Sequence, residues 1–134
     1  MTAIQILLVE DNAGDARLSA ESLKDSELLY DLHVVVDGSK AMSFLRQDND
    51  YSDAPRPDVV ILDLNLPGKN GLEVLEEIRS AQDLQDIPVI ILTSSASDLD
   101  VLNAYRKQAN AYLIKPSSLR EFHGVIEAIT ALCH

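Results

Sequence analysis

The stretch PDVVILDLNLPGKNG, from Pro57 to Gly71, predicts a buried strand followed by a tight loop and a helix. Its four consecutive apolar residues, 59–62, lack the alternation of a half-exposed strand and indicate a strand covered on both faces, as in a parallel sheet. The run ends at Asp63, where a carboxylate is costly unless it is paired or lies at the open end of the strand. Pro67 and the glycines after it turn the chain, and apolar residues at helical spacing then predict a helix from Gly71.

Short apolar runs and amphipathic segments alternate along the rest of the chain. The predicted strands cover residues 4–9, 32–36, 59–62, 89–92 and 111–114. Helices are predicted at residues 13–26, after a cap at 37–39, and at 71–81, 98–108 and 118–132, the last with Leu119 on its inner face. Asn110 is predicted to be a left-handed residue that ends the fourth helix. This alternation predicts an α/β protein with a parallel sheet, right-handed crossovers and helices on both faces.

Length and composition limit the classes of protein to consider. Residues 1–134 are long enough for one domain with a substantial core, and we expect a single domain without a second one. The net charge of −11 argues against direct binding to nucleic acid or to an anionic membrane surface. No apolar run could span a bilayer, and the N-terminus lacks the features of a signal peptide. The single cysteine, Cys133, excludes an internal disulfide, so we expect a cytoplasmic protein.

Four of the predicted strands end in residues that can carry chemistry. Glu10 and Asp11 follow the first strand, Asp63 the third, Thr93 the fourth and Lys115 the fifth. In a doubly wound sheet the ligand site lies outside the carboxyl ends of the strands. We therefore expect these side chains to converge at one edge of the sheet.

The expected cluster has a surplus of negative charge. At about 4 Å, each pair of like charges costs on the order of 4 kcal/mol near a protein surface, and one lysine cannot neutralise three carboxylates. Either some carboxylates are protonated or a divalent cation lies among them, and oxygen ligands at an open edge suit Mg²⁺. Lys115 and the hydroxyl of Thr93 suit a tetrahedral oxyanion. The residues therefore predict a metal-assisted site at which Asp63 accepts a phosphoryl group.

Several short motifs, each at the end of a predicted strand, carry a family resemblance. They are Glu10-Asp11, the run DLNLPGKNG from Asp63, Thr93-Ser94 and Lys115-Pro116, with 30 residues from Asp63 to Thr93 and 22 from Thr93 to Lys115. Together they resemble the receiver domain of two-component response regulators over nearly the whole chain. The resemblance implies a flavodoxin-like, doubly wound (βα)5 fold with a five-stranded parallel sheet in the order 2-1-3-4-5.

The resemblance also implies a mechanism and a cofactor. Asp63 would take a phosphoryl group from a phosphohistidine on a sensor histidine kinase. Asp11 and Asp63 would hold Mg²⁺ (or Mn²⁺) directly, together with the backbone carbonyl of Asn65, while Glu10 would act through water. Asn65 and Ser95 match positions that tune hydrolysis of the acyl phosphate.

Further positions match the phosphoryl-binding and switch residues of the family. Lys115 would pair with the phosphoryl oxygens, and Thr93 would hydrogen-bond one of them. The peptide bond between Lys115 and Pro116 is expected to be cis, as it usually is in the family. Tyr112 matches the aromatic residue that turns inward when the threonine moves. That movement would change the face formed by the fourth helix, the fifth strand and the fifth helix.

The interval of 52 residues from Asp11 to Asp63 is longer than the commonest family pattern. With its Pro-Arg-Pro segment at 55–57 and no output domain, the chain resembles the small stand-alone regulators that partner bacterial phytochrome kinases. Similar stand-alone receivers also occur in archaea and with other kinases. A regulator of this kind signals by docking to other proteins, and Tyr105, Tyr112 and the fifth helix could also form a homodimer face.

Other functions share parts of this pattern. A phosphatase of the haloacid dehalogenase type also uses an aspartyl-phosphate, but it needs a second Asp two positions after the nucleophile, where this chain has Asn65. A flavodoxin-like FMN binder needs a phosphate cradle, whereas the loop from Glu10 to Gly14 is acidic. A pseudo-receiver that acts by binding alone is a third alternative. The motifs favour a phosphorylated signalling protein over a turnover enzyme.

Each candidate residue also has an ordinary structural interpretation. Taken alone, Asp11 could cap the first helix, Thr93 could be a turn residue and Lys115 a solvated surface residue. Tyr112 could simply be a strand residue. All of these interpretations would have to hold together at matched strand ends, and the functional interpretation is therefore favoured.

Overall fold

Largely apolar runs form the central strands of the sheet. The computed structural model describes residues 2–118 and 120–133. Its strands are β1 (Ile4–Val9), β2 (Tyr30–Val35), β3 (Val59–Leu62), β4 (Val89–Thr93) and β5 (Ala111–Ile114). They pair in parallel in the order β2-β1-β3-β4-β5. The predicted flavodoxin-like arrangement is confirmed.

A helix follows each strand. The helices are α1 (Ala13–Lys24), α2 (Gly38–Arg46), α3 (Gly71–Ser80), α4 (Asp98–Arg106) and α5 (His123–Leu132), and short 3-10 helices lie at Asn49–Tyr51 and Arg120–Phe122. Helices α1 to α4 each begin at a side chain that accepts a hydrogen bond from a first-turn amide, a donor that has no partner within the helix. These capping residues are Asn12, Asp37, Asn70 and Ser97.

Alternating strand residues point to opposite faces of the sheet and build two apolar layers. Leu7 and Val60 belong to the layer that packs against α2, α3 and α4. Ile6 and Ile61 belong to the layer that packs against α1 and α5. The buried polar side chains associated with the central strands lie at the carboxyl ends of those strands, and they are Glu10, Asp63 and Thr93.

The fifth helix begins later than the sequence predicts. It starts at His123, after a 3-10 helix, rather than at Ser118. The hydroxyl of Ser118 accepts a hydrogen bond from the amide of Glu121, and the Glu121 carboxylate accepts one from the amide of Ser117. These short-range bonds close a turn ahead of the helix. Leu119, predicted on the inner face of this helix, lies outside the described residues.

The prediction that Asn110 is the left-handed residue after α4 is wrong. Gln108 has the positive φ, of 70°. Asn110 Oδ1 instead accepts hydrogen bonds of 2.8 Å from the Arg79 guanidinium and from the amide of Val89. Arg79 also donates to the carbonyls of Gln85 and Gln108. The side chain of Asn110 therefore acts as the hydrogen-bond acceptor for the Arg79 guanidinium and the Val89 amide.

The outer surface of α4 and the end of β5 carry exposed apolar side chains. We call this surface the α4–β5 face, and its members are Leu99, Leu102, Tyr105 and Ile114. The hydroxyl of Tyr105 accepts a 3.1 Å hydrogen bond from the amide of Tyr112 on β5, an edge strand. None of the helices among residues 2–118 and 120–133 has the length and apolar character that crossing a bilayer requires.

Candidate functional site

Main-chain pairing continues from the sheet into the predicted site residues. The amide of Asp63 donates to the carbonyl of Val9, next to Glu10, at 3.2 Å. The amide of Lys115 donates to the carbonyl of Thr93 at 2.8 Å. Neighbouring strands therefore end in register, and the structure brings these polar residues to one edge of the sheet.

The loop after β3 fixes the orientation of the Asp63 carboxylate. It turns at Gly68, whose φ of 68° lies in the left-handed region that favours glycine. Within the loop, the amide of Asn65 donates a 3.1 Å hydrogen bond to Asp63 Oδ1. The sequence predicts a role for the carbonyl of Asn65, and the contact seen here is made by its amide.

Three carboxylates form a cluster at this edge. Glu10, Asp11 and Asp63 each offer an oxygen atom, and these atoms lie within 4.8 Å of one another. Glu10 and Asp63 are only 3% and 4% exposed, whereas Asp11 is exposed to solvent. A set of oxygen donors that is open on one side fits a hard divalent cation such as Mg²⁺, which retains several waters.

Lys115 Nζ lies among the carboxylates. It is 2.8 Å from Glu10 Oε1, 2.7 Å from Asp63 Oδ2 and 2.7 Å from Asp15 Oδ2. An ammonium group has three N–H donors, so each can be directed at a different carboxylate. Asp15 is a site residue that the sequence motifs do not predict. The available signal was an acidic residue in the first turn of α1, a helix that starts where β1 ends.

Burial and the surplus of negative charge shift the pKa values of two of these groups. Burial raises the pKa of Glu10 to about 7, although hydrogen bonds from Lys115 and from the amide of Asn12 oppose the shift. Burial lowers the pKa of Lys115, but its hydrogen bonds to Asp15, Asp63 and Glu10 outweigh burial and raise the pKa overall. Lys115 therefore stays charged, and the raised pKa means that Glu10 takes up a proton more readily than an ordinary carboxylate does, which would reduce the repulsion. A bound cation would compete with that proton.

The prediction of a cis peptide bond between Lys115 and Pro116 is wrong. Residues 2–118 and 120–133 contain no cis peptide bond. A bond before proline favours the trans isomer by about 0.5–1 kcal/mol unless its surroundings select the cis isomer. The Lys115 ammonium reaches all three of its carboxylate partners from the trans chain.

A series of hydrogen bonds links Thr93 to α4. Thr93 is fully buried, and its Oγ1 accepts a hydrogen bond of 3.4 Å from the amide of Ser95. The hydroxyl of Tyr112 donates to the Ser95 carbonyl at 2.9 Å, and the Ser95 hydroxyl donates to Asp100 Oδ2 at 2.6 Å. Burial raises the pKa of Tyr112, so its hydroxyl remains a donor at neutral pH. The sequence motifs predict roles for Thr93, Tyr112 and Ser95, but not for Asp100.

Comparison with protein families gives a match over most of the chain. The family model described as response regulator receiver domain matches residues 6–127. Among curated relatives, the response regulator Rcp1 of Synechocystis sp. is 44% identical over 124 residues, which cover 92% of this chain and 84% of Rcp1.

Two solved structures of similar proteins match nearly the whole chain. The phosphorylated cyanobacterial phytochrome response regulator RcpA is 39% identical with a TM-score of 0.88, over 98% of this chain and 94% of that one. The Mn²⁺-bound form of the response regulator Rcp1 is 43% identical with a TM-score of 0.85, over 96% of this chain and 92% of that one. The similarity therefore holds for both sequence and fold.

Proposed function

The chain belongs to the family of response regulator receiver domains, and on this basis we propose that it is a phosphorylation-switched protein of a two-component phosphorelay. Asp63 is the proposed acceptor of a phosphoryl group from a sensor histidine kinase. The observation that carries the proposal is the position of Asp63. It is a buried carboxylate at the end of β3, and its Oδ2 lies 2.7 Å from the Lys115 ammonium.

Glu10, Asp11 and Asp63 are the proposed holders of a Mg²⁺ or Mn²⁺ ion. Their oxygens already lie within 4.8 Å of one another, and a single lysine does not balance their charge. The backbone carbonyl of Asn65 is a further proposed ligand, and Glu10 is proposed to act through water. A Mn²⁺-bound form has been solved for the similar protein Rcp1. When bound, such an ion neutralises charge on the phosphoryl oxygens.

Asp63 and Lys115 are proposed to carry the transfer itself. An oxygen of the Asp63 carboxylate forms a bond to phosphorus while the bond between phosphorus and the histidine nitrogen of the donor breaks. The Lys115 ammonium, which contacts Asp63 before transfer, then pairs with the phosphoryl oxygens. Its contact with Glu10 keeps the ammonium at the site during this exchange.

Thr93 and Tyr112 are proposed to carry the change away from the site. The hydroxyl of Thr93 would donate to a phosphoryl oxygen, and its Oγ1 is already bonded to the amide of Ser95. Movement of Thr93 would therefore shift Ser95, whose carbonyl accepts a hydrogen bond from the Tyr112 hydroxyl. Tyr112 lies on β5, beside the exposed α4–β5 face, and this face and α5 are the proposed output surface.

Asn65 separates this proposal from a turnover phosphatase. A phosphatase built on an aspartyl-phosphate needs an acid two positions after the nucleophile, and the Asn65 side chain is an amide that cannot act as an acid or base. Signalling through an aspartyl-phosphate that persists is therefore the function that this site supports best.

The first test is the intact mass of the protein after incubation with acetyl phosphate. We expect one phosphoryl adduct, which requires Mg²⁺ or Mn²⁺ and is prevented by EDTA. Asp11→Asn removes an exposed candidate ligand that does not contact Lys115, so it should raise the Mg²⁺ concentration needed for labelling at least about tenfold. An adduct that forms equally well in EDTA would contradict the cation site. Absence of any adduct, from acetyl phosphate or from histidine kinases, would contradict the acceptor role.

The same samples test the output surface by sedimentation velocity. We propose a second copy of the chain as the occupant of the α4–β5 face, since its four apolar side chains are each 46–64% exposed. Phosphorylated protein should then sediment mainly as a dimer. A smaller fraction of the unphosphorylated protein should sediment as a dimer. Identical sedimentation of both forms as a monomer would contradict this occupant.

The kinase partner is proposed to be a phytochrome histidine kinase. The support is similarity to RcpA, whose structure is described as that of a cyanobacterial phytochrome response regulator. Purified phytochrome kinases, phosphorylated on histidine, should transfer the label to this chain at least about tenfold faster than sensor kinases of other classes. Equal or faster transfer from the other classes would contradict the phytochrome partnership and leave the acceptor role intact.

A further inference from the structure

Asp15 makes a contact that the acceptor chemistry described above does not explain. It lies in the first turn of α1, and its Oδ2 is 2.7 Å from Lys115 Nζ. The same ammonium contacts Asp63 at the same distance and Glu10 at 2.8 Å. The three donors of Lys115 are therefore shared among three carboxylates, and only one of these is the proposed acceptor.

We propose that Asp15 is a positioning residue that shares the Lys115 ammonium with Asp63 and thereby sets the rate at which anionic phosphoryl donors load the site. This inference rests on the proposed function. Asp15 acts through Lys115 and through its own charge, and it is assigned no contact with the phosphoryl group.

Two physical effects act in the same direction. The Asp15 carboxylate adds a negative charge beside a site that must admit an anionic phosphoryl donor. Asp15 and Asp63 contact the same ammonium, so the donor approaches close to the Asp15 charge and is repelled by it even near the protein surface. It also occupies one donor of Lys115, which must turn to the phosphoryl oxygens during transfer. Removal of the Asp15 charge should therefore speed loading, provided that the divalent cation is kept saturating.

An ordinary structural role is the alternative explanation. An acidic side chain in the first turn interacts favourably with the helix dipole and stabilises α1. That interaction would change the free energy of unfolding, but it would not distinguish one phosphoryl donor from another. The dependence of the labelling rate on the charge of the phosphoryl donor therefore distinguishes the two explanations.

The experiment compares two donors of different charge. Acetyl phosphate is a dianion near neutral pH, whereas phosphoramidate is a zwitterion with a net charge one unit smaller. Rate constants of labelling are measured by intact mass at saturating Mg²⁺ for the parent, Asp15→Asn, Asp15→Glu and Asp25→Asn. The matched control is Asp25, which follows the other end of α1, so that Asp25→Asn removes the same charge far from the site.

We expect Asp15→Asn to speed labelling by acetyl phosphate by about three- to tenfold, and labelling by phosphoramidate by a smaller factor. Asp15→Glu, which keeps the charge, should be closer to the parent, and Asp25→Asn should leave both rates unchanged. Equal factors for the two donors, a slower rate, or no change in Asp15→Asn would overturn the inference while the labelled parent still supports the acceptor role. A parent that neither donor labels would overturn the acceptor role and this inference together.

Discussion

Replacement of Asp63 by Asn should abolish the Mg²⁺-dependent phosphoryl adduct, a loss of at least about 100-fold in labelling. An amide oxygen is a poor nucleophile, and the amide carries no charge to help hold a cation. The change conserves the volume of a side chain that is only 4% exposed, and its oxygen can still accept the hydrogen bond from Asn65. It also removes one of the carboxylates crowded around Lys115. The variant should therefore fold, and the lost labelling should reflect lost chemistry.

The matched control is Asp58→Asn, at the opposite end of the same strand. Asp58 is exposed and its carboxylate accepts a 2.8 Å hydrogen bond from the amide of Gln5, which an asparagine oxygen can also accept. Asp58→Asn should be labelled like the parent. Intact mass gives the labelling, and thermal unfolding followed by circular dichroism verifies the fold. If Asp63→Asn were labelled as well as the parent, the acceptor would have to be another residue.

Replacement of Gly71 by Ala should destabilise the protein by about 3 kcal/mol or more. A β-carbon at Gly71 would collide with the main-chain carbonyl of Asp63 and would lie 2.7 Å from Leu64 Cα. Both obstacles are backbone atoms, so relief requires α3 to move away from the end of β3. The Gly71 amide also donates to the Leu64 carbonyl at 3.0 Å, and this bond would be disturbed by the same movement. Urea unfolding gives the change in the free energy of unfolding.

The control for this prediction is Gly124→Ala in α5. A β-carbon at Gly124 would meet no other atom within 4 Å, and the residue is exposed. Alanine in an exposed helical position should stabilise the protein by about 0.5–1 kcal/mol relative to glycine. A similar, small effect of both substitutions would mean that α3 can shift away from β3 at little cost. Since Gly71 abuts Asp63, labelling of Gly71→Ala should also fall.

The elements that were predicted well are those whose signal is local. The bounds of β1, β3 and β5 agree with the sequence because each is an apolar run with a polar residue directly after it. The positions of Asp63 and Lys115 follow from the same rule, since each ends such a run. Strand pairing then brings them together without further information from the sequence.

The features that were missed depend on contacts between distant parts of the chain. Asp15 and Lys115 are 100 residues apart, and their contact depends on how α1 lies beside the end of β5. Asparagine is a residue type that often ends helices. The Asn110 side chain instead accepts a hydrogen bond from Arg79 on α3. Side-chain pairings of this kind follow from packing, which short sequence patterns do not describe.

The bond from the Tyr112 amide to the Tyr105 hydroxyl has a consequence for how the α4–β5 face can adhere to another molecule. An edge strand with free amides beside an exposed apolar residue such as Ile114 is a template on which a foreign strand can add, and such sheet extension is difficult to reverse. Tyr105 occupies the amide of Tyr112, the second residue of β5, so a strand added at this edge would have to displace that hydrogen bond. If the face binds a partner as proposed, side-chain contacts that do not extend the sheet would let it release that partner when the phosphoryl group is lost.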